Sequence, residues 1–201
     1  MNNILLLASQ SISRRLLLVK AQIPFVLLDQ DANEAECDWG LPLPQLVESI
    51  AKHKMAQIIM PQGIEGQHLF VLTADTLTQD KKGTMLGKPS NKQHAYTMLN
   101  TIRQGAQVGT AFCLDKKVYR FDRWQIEERV IEYVQAECVF VVPDWAVDYY
   151  LENSLAMKAS GAITIEGFGA QFLKSINGSY SAIMGLPLYE VRKALEKLNF
   201  F

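Results

Sequence analysis

The sequence predicts an α/β fold, and three observations carry that prediction. Short apolar runs alternate with amphipathic segments, polar breaks fall where the runs end, and "LLLASQSISRRLLLVKA" (5–21) passes from strand to helix with almost nothing between. Residues 4–8 (ILLLA) read as a buried strand and 14–21 (RRLLLVKA) as a helix, with Ser9, Ser11 and Ser13 supplying capping hydroxyls. FVLLD (25–29) is a second strand, followed by the acidic loop DQDANEAECD. A long helix is expected from Leu43 to Met60, and FVLTAD (70–75) reads as a buried strand that ends in a carboxylate. TQDKKGT (78–84) is turn-rich and joins two short antiparallel strands, while Ser90 with Gln93 forms a capping box for a helix over 91–103. From Gln107 to Val142 the pattern is mostly β, with a poorly patterned interval around 117–127. PDWAVDYYLENS is helical, and PLYEVRKALEKL closes the chain as an amphipathic helix with Pro187 in its first turn.

At 201 residues the chain suits one domain, with room for two lobes. Lys and Arg number 20 against 21 Asp and Glu, so no global field recruits nucleic acid or an anionic membrane. Cys37, Cys113 and Cys138 lie far apart, without zinc-type or CxxC spacing, and fit a reducing compartment. The apolar run after Met1 is too short for a signal-peptide core, and no stretch is long enough to span a bilayer. A soluble, cytoplasmic protein without nucleic-acid or membrane partners is expected.

Two familiar phosphate motifs are absent. In GTMLGKP only three residues separate Gly83 from Gly87, and Lys88 is followed by Pro89, so this is not a P-loop; GFGAQF lacks the third glycine of the dinucleotide fingerprint. His53, His68 and His94 show no ligand spacing, and there is no GxSxG elbow. What remains is a dispersed set at the edges of expected elements: Arg14, Glu34, Lys54, Asp75 and Lys88. A triphosphate needs such a set, because cations hold its oxygens while a carboxylate-bound metal offsets charge and polarises water. Asp75 stands out, since a carboxylate on a buried apolar strand must find a partner, a metal or water.

Along nearly its whole length the chain resembles the Maf family of nucleoside triphosphate pyrophosphatases. The family's LASxSPRRxxLL stands here as LASQSISRRLLL, its DE as Asn33–Glu34, its LAxxKA as IAKHKMA, its ADT as Ala74–Thr76, its LGKP as Leu86–Pro89, and its GSYxxVxGLPL as GSYSAIMGLPL. The resemblance implies a single domain over 1–201, with a twisted mixed sheet flanked by helices, two lobes and a central cleft, similar to inosine triphosphate pyrophosphatases and often dimeric. It implies that Ser9, Arg14, Glu34, Lys54 and Lys88 bind substrate. Glu34 and Asp75 would serve a divalent metal, Mg2+ or Mn2+, with Asp75 the proton acceptor. The implied reaction is metal-assisted attack of water at the α-phosphorus, releasing pyrophosphate and clearing non-standard or modified nucleotides.

Departures from the family pattern concern the substrate. The family's proline and first arginine are Ile12 and Ser13, the usual histidine of its GxxHxVxT is Ala106, and AGAYGIQG has become SGAITIEG, placing Glu166 where many members carry glutamine. A carboxylate only accepts and suits the adjacent N–H donors of guanine, whereas glutamine both donates and accepts. Glu166 and the lost arginine at Ser13 tip the expectation slightly toward a 7-methyl-GTP-like guanine nucleotide. Thr76 and GSYSAIMGLPL resemble the dTTP and UTP branch, which is the other candidate. The alternative to an active enzyme is a weakly active nucleotide-binding protein affecting cell division or septum formation.

Overall fold

In the computed structural model, which describes residues 3–201, strand and helix alternate from the start. β1 (Leu5–Leu7) leads into α1 (Ile12–Lys20), then β2 (Phe25–Leu27), a single turn at Glu34–Glu36, and α2 (Leu43–Ala56). The long β3 (His68–Asp80) follows, with β4 (Met85–Leu86), α3 (Lys92–Ile102), β5 (Ala106–Arg120) and β6 (Arg123–Phe140). The chain closes with α4 (Val147–Glu152), β7 (Leu173–Gly178), α5 (Tyr180–Ile183) and α6 (Leu188–Lys197). Among the described residues the sheet has seven strands in the order β2-β1-β3-β5-β6-β7, with β4 on β3. It is mixed, as expected: β1 pairs in parallel with β2 and β3, whereas β3–β4 and β6–β7 are antiparallel.

The chain divides into two compact units. The first takes the chain up to Asp75, Ala111–Tyr133 and Leu186–Phe201; the second takes Thr76–Thr110 and Val134–Gly185. In the first, Leu5 stands opposite both Phe25 and Phe70, so β1 has a parallel partner on each edge, with Leu5 and Leu7 buried on one face and Leu6 half-buried on the other. Leu5, Leu7, Leu18, Leu46, Ile50 and Leu72 are fully buried there. In the second, Leu99, Ile102, Phe140 and Tyr150 form the core, and the Tyr150 hydroxyl donates to Ala162 O at 2.7 Å while accepting from Thr164 N at 2.9 Å.

Several expectations are corrected. β3 does not end at Asp75 but runs on to Asp80, because Thr78 and Gln79 pair with β4 and Thr78 N donates to Ser160 Oγ, far along the chain. α2 stops at Ala56 rather than Met60: Ile58 forms a bridge with Gln30, and Met60 precedes a proline, which disfavours helix. α3 is capped by Asn91, whose side chain accepts from His94 N, and not by Ser90. The unpatterned interval 117–127 is ordered as the end of β5, the start of β6 and a two-residue turn, Phe121–Asp122, with φ of 54° and 57°. Two successive positive φ values are the signature of the tight hairpin turn that follows strand twist. The first two positions of the expected 1–201 domain lie outside the described residues.

Candidate functional site

The first unit gathers Ser9, Arg14, Glu34, Lys54 and Asp75. Each arrives by a simple local rule. On β3, Thr73 and Asp75 are two residues apart and so share a face. Thr73 Oγ1 donates to Ala51 O of α2 at 2.8 Å, and one turn further along that helix Lys54 Nζ meets Asp75 Oδ1 at 2.6 Å. Glu34 sits on the single turn capped by Asn33, whose side chain accepts from Ala35 N at 3.1 Å; Trp39 Nε1 donates to Glu34 O at 3.1 Å and ties the turn down. The Glu34 carboxylate thereby reaches the same ammonium, Oε1 to Nζ being 2.7 Å.

The polar break after β1 is a compact turn. Ala8 N makes the last ladder contact, to Leu72 O, and the Ser9 hydroxyl then accepts from Ser11 N at 3.2 Å and from Arg14 Nη1 at 3.1 Å. Ser11 caps α1 by accepting from Arg14 N. Ser9, Arg14, Lys54 and Asp75 are exposed by only 8%, 7%, 6% and 5%, so each must be satisfied inside the protein. Burial lowers the Arg14 pKa, and the charges of Asp75 and Glu34 pull it back up. Arg14 and Lys54 against Glu34 and Asp75 make a charge-balanced set in which Arg14, Lys54 and Asp75 are buried and Glu34 is half-exposed.

One atom of this set is not satisfied. Asp75 Oδ2 is buried and has no hydrogen-bond partner among the described residues. Such an atom costs free energy unless water, a proton, a metal or a ligand meets it. With Glu34 it forms an oxygen-only donor pair, which fits a hard divalent cation that keeps water and phosphate oxygens among its ligands. Among the described residues no group of three or more His, Cys, Asp or Glu side chains could hold a metal unaided.

Ser13 is half-buried on α1, in the same unit. Lys88 is exposed in the second unit, between β4 and α3. Thr76 and Thr110 are joined through their hydroxyls at 2.8 Å; Thr110 gives its proton to Ala182 O at 2.7 Å, so Thr76 is the donor between them. This links the residue after Asp75 to the GSYSAIMGLPL segment. Glu166 lines an open pocket of about 360 Å³ in the second unit, with Asn153, Thr164, Gly167 and Phe168. Gly169 is required in that loop, since a Cβ there would lie 1.8 Å from Thr164 O. Burial raises the Tyr180 pKa, and the Glu166 charge adds to it.

Two neighbours escape a reading of the sequence. Arg15 is half-buried and its Nη2 reaches Ser9 O at 3.5 Å, so it belongs to the turn. Cys37 is half-buried near Asp75, Glu34 and Lys54, and burial raises its thiol pKa. Nothing in the linear pattern singles out either residue.

The family model described as Maf-like protein matches residues 4–198. The chain belongs to the Maf family. Its relatives include the dTTP/UTP pyrophosphatase of Hydrogenovibrio crunogenus, 31% identical over 98% of this chain and 97% of that protein. Those of Caldicellulosiruptor bescii and Acholeplasma laidlawii are each 30% identical over 98% of this chain and cover 95% and 96% of their own lengths. By class this Maf protein is a hydrolase of nucleotide anhydrides. The lean toward 7-methyl-GTP finds no support here, because the relatives are named for dTTP and UTP.

Proposed function

We propose that this Maf protein hydrolyses dTTP and UTP, or modified forms of them, to the nucleoside monophosphate and pyrophosphate. The observation that carries the reading is the charge-balanced set of buried Arg14, Lys54 and Asp75 with half-exposed Glu34, and its unpaired Asp75 Oδ2. Ser9 accepts two hydrogen bonds within its turn and keeps its own proton to donate to a phosphate oxygen. Arg14, held by Ser9, and Lys54 supply charge to the triphosphate, and Lys88 of the family's LGKP motif is assigned to the same substrate. Asp75 Oδ2 takes the proton of the attacking water; the new bond forms between water oxygen and the α-phosphorus, and pyrophosphate leaves with the electron pair of the broken anhydride bond. Glu34 and Asp75 would hold a divalent cation, Mg2+ or Mn2+, which when bound offsets phosphate charge and acidifies water.

Base selection is assigned to Thr76, Ser13 and Glu166. Uracil and thymine present one N–H donor between two carbonyl acceptors, so the Glu166 carboxylate accepts that donor and gives nothing to either carbonyl. We assign residues 1–201 to a single functional domain that acts as a homodimer, as the family resemblance implies, and place it in the cytoplasm on its dispersed cysteines; among the described residues no helix is long and apolar enough to cross a membrane.

The test is a panel of canonical and modified nucleoside triphosphates with Mg2+ or Mn2+, scoring pyrophosphate and orthophosphate separately. Pyrophosphate with monophosphate, highest for dTTP and UTP, is expected. Orthophosphate alone contradicts the reaction, and a guanine nucleotide as best substrate contradicts the base.

A further inference from the structure

Lys54 holds the two carboxylates that the proposed function assigns to a metal. Its Nζ lies 2.7 Å from Glu34 Oε1 and 2.6 Å from Asp75 Oδ1, and these are ion pairs across segments far apart in the chain. Without a cation between them, two carboxylates this close to one ammonium would repel each other, and one of them is buried. A divalent ion drawn to the same carboxylates meets a positive charge already seated there, with Arg14 buried nearby. A triphosphate changes that balance, because it brings anionic oxygens to receive both the ammonium and the metal.

We propose that Lys54 is a resident cation which keeps the Glu34–Asp75 pair assembled in the resting protein and transfers to phosphate as nucleotide and metal enter together. Lysine suits that task better than arginine: it is a point charge on a flexible stem with three rotatable donors, whereas Arg14 is fixed on Ser9 Oγ. The consequence is coupling. Free metal binds poorly, nucleotide raises its affinity, and by linkage metal raises the affinity of nucleotide by the same factor. The inference rests on the proposed function and adds an order of events to it.

The test measures Mn2+ binding from the loss of the free-ion electron paramagnetic resonance signal, with and without a dTTP analogue carrying a non-hydrolysable α,β-imido bridge, each titration being corrected by the same titration of analogue without protein because the triphosphate itself chelates Mn2+. For the wild type, the analogue is expected to tighten Mn2+ binding roughly tenfold or more. Lys54→Gln and Lys54→Met should bind Mn2+ alone roughly tenfold more tightly than the wild type and gain less from the analogue. Lys54→Arg should stay as weak as the wild type, and adding Asp75→Asn to Lys54→Gln should abolish the tight site. Equal Mn2+ affinity in the wild type with and without analogue overturns the proposal. So does unchanged or weaker Mn2+ binding in the Gln and Met variants with wild-type circular dichroism. The wild-type comparison decides the matter if neither variant folds. Pyrophosphate release by the wild type is scored separately, so loss of the coupling alone leaves the proposed activity standing.

Discussion

Replacing Asp75 by Asn removes one negative charge and the atom proposed to accept the proton while changing side-chain volume hardly at all. The amide oxygen can still accept from Lys54 Nζ, now 2.6 Å from Oδ1, and the amide nitrogen takes the place of the unpaired Oδ2. Lys54 keeps Glu34 as a charged partner at 2.7 Å, so the ammonium is not left alone in the interior. The stability change is therefore expected to stay within about 2 kcal/mol, below the cost of stripping a buried charge of its only partner. Catalysis has no such reserve. A positioned general base contributes about 10²–10⁴ in rate, and weakening the proposed metal pair adds to that, so kcat should fall at least about 10³-fold. Pyrophosphate release from dTTP, with thermal melting and circular dichroism on the same preparation, separates the two effects. Turnover within about tenfold of the wild type in a folded Asp75→Asn protein would refute the assignment of the base.

Asp115 is fully buried in the first unit; burial would push its pKa up, but hydrogen bonds from Arg129 and Lys117 and their charges hold it below the usual value. A depressed carboxylate stabilises the fold above its unfolded pKa, near ~3.9, and that stability is lost as pH falls through the lower folded value. Arg129→Met should therefore cost about 2 kcal/mol in urea unfolding at pH 7 and progressively less as the pH falls below the unfolded carboxylate value, the figure being modest because Arg129 is partly exposed and Lys117 remains. Equal loss at both pH values would contradict this. Glu166→Gln restores a donor for a pyrimidine carbonyl and should raise kcat/KM for dTTP and UTP by about tenfold; a fall for both would show that the carboxylate is the preferred reader. Arg15→Ala should raise KM several-fold with little change in kcat, since Arg15 braces the Ser9 carbonyl and is not assigned to the reacting atoms. A selective loss of kcat would place it in the reaction itself.

Local chemistry was legible in the chain, and non-local chemistry was not. The apolar runs and the serine-rich break marked β1, the turn and α1, because each depends on neighbours within a few residues. Asp75 is recognisable as a carboxylate on a buried strand, but its partner Lys54 is brought to it by α2, Glu34 reaches the same lysine from the Glu34–Glu36 turn, and no spacing encodes that meeting. The extension of β3 past Asp75 depends on Ser160, 82 positions away from Thr78, so a window read along the chain stops too early. Phe121–Asp122 takes a turn that favours Gly and Asn, and the hairpin overrides their absence. Arg15 falls on an unspecified position of the LASxSPRRxxLL motif, yet its side chain, like that of Arg14, returns to Ser9.

The central claim is attack of water at the α-phosphorus, and labelled water tests it most directly. Hydrolysis of dTTP in H2(18)O by the purified protein should place the heavy oxygen in the phosphate of the monophosphate and leave pyrophosphate unlabelled. Label in pyrophosphate, or in orthophosphate released beside dTDP, would contradict the account.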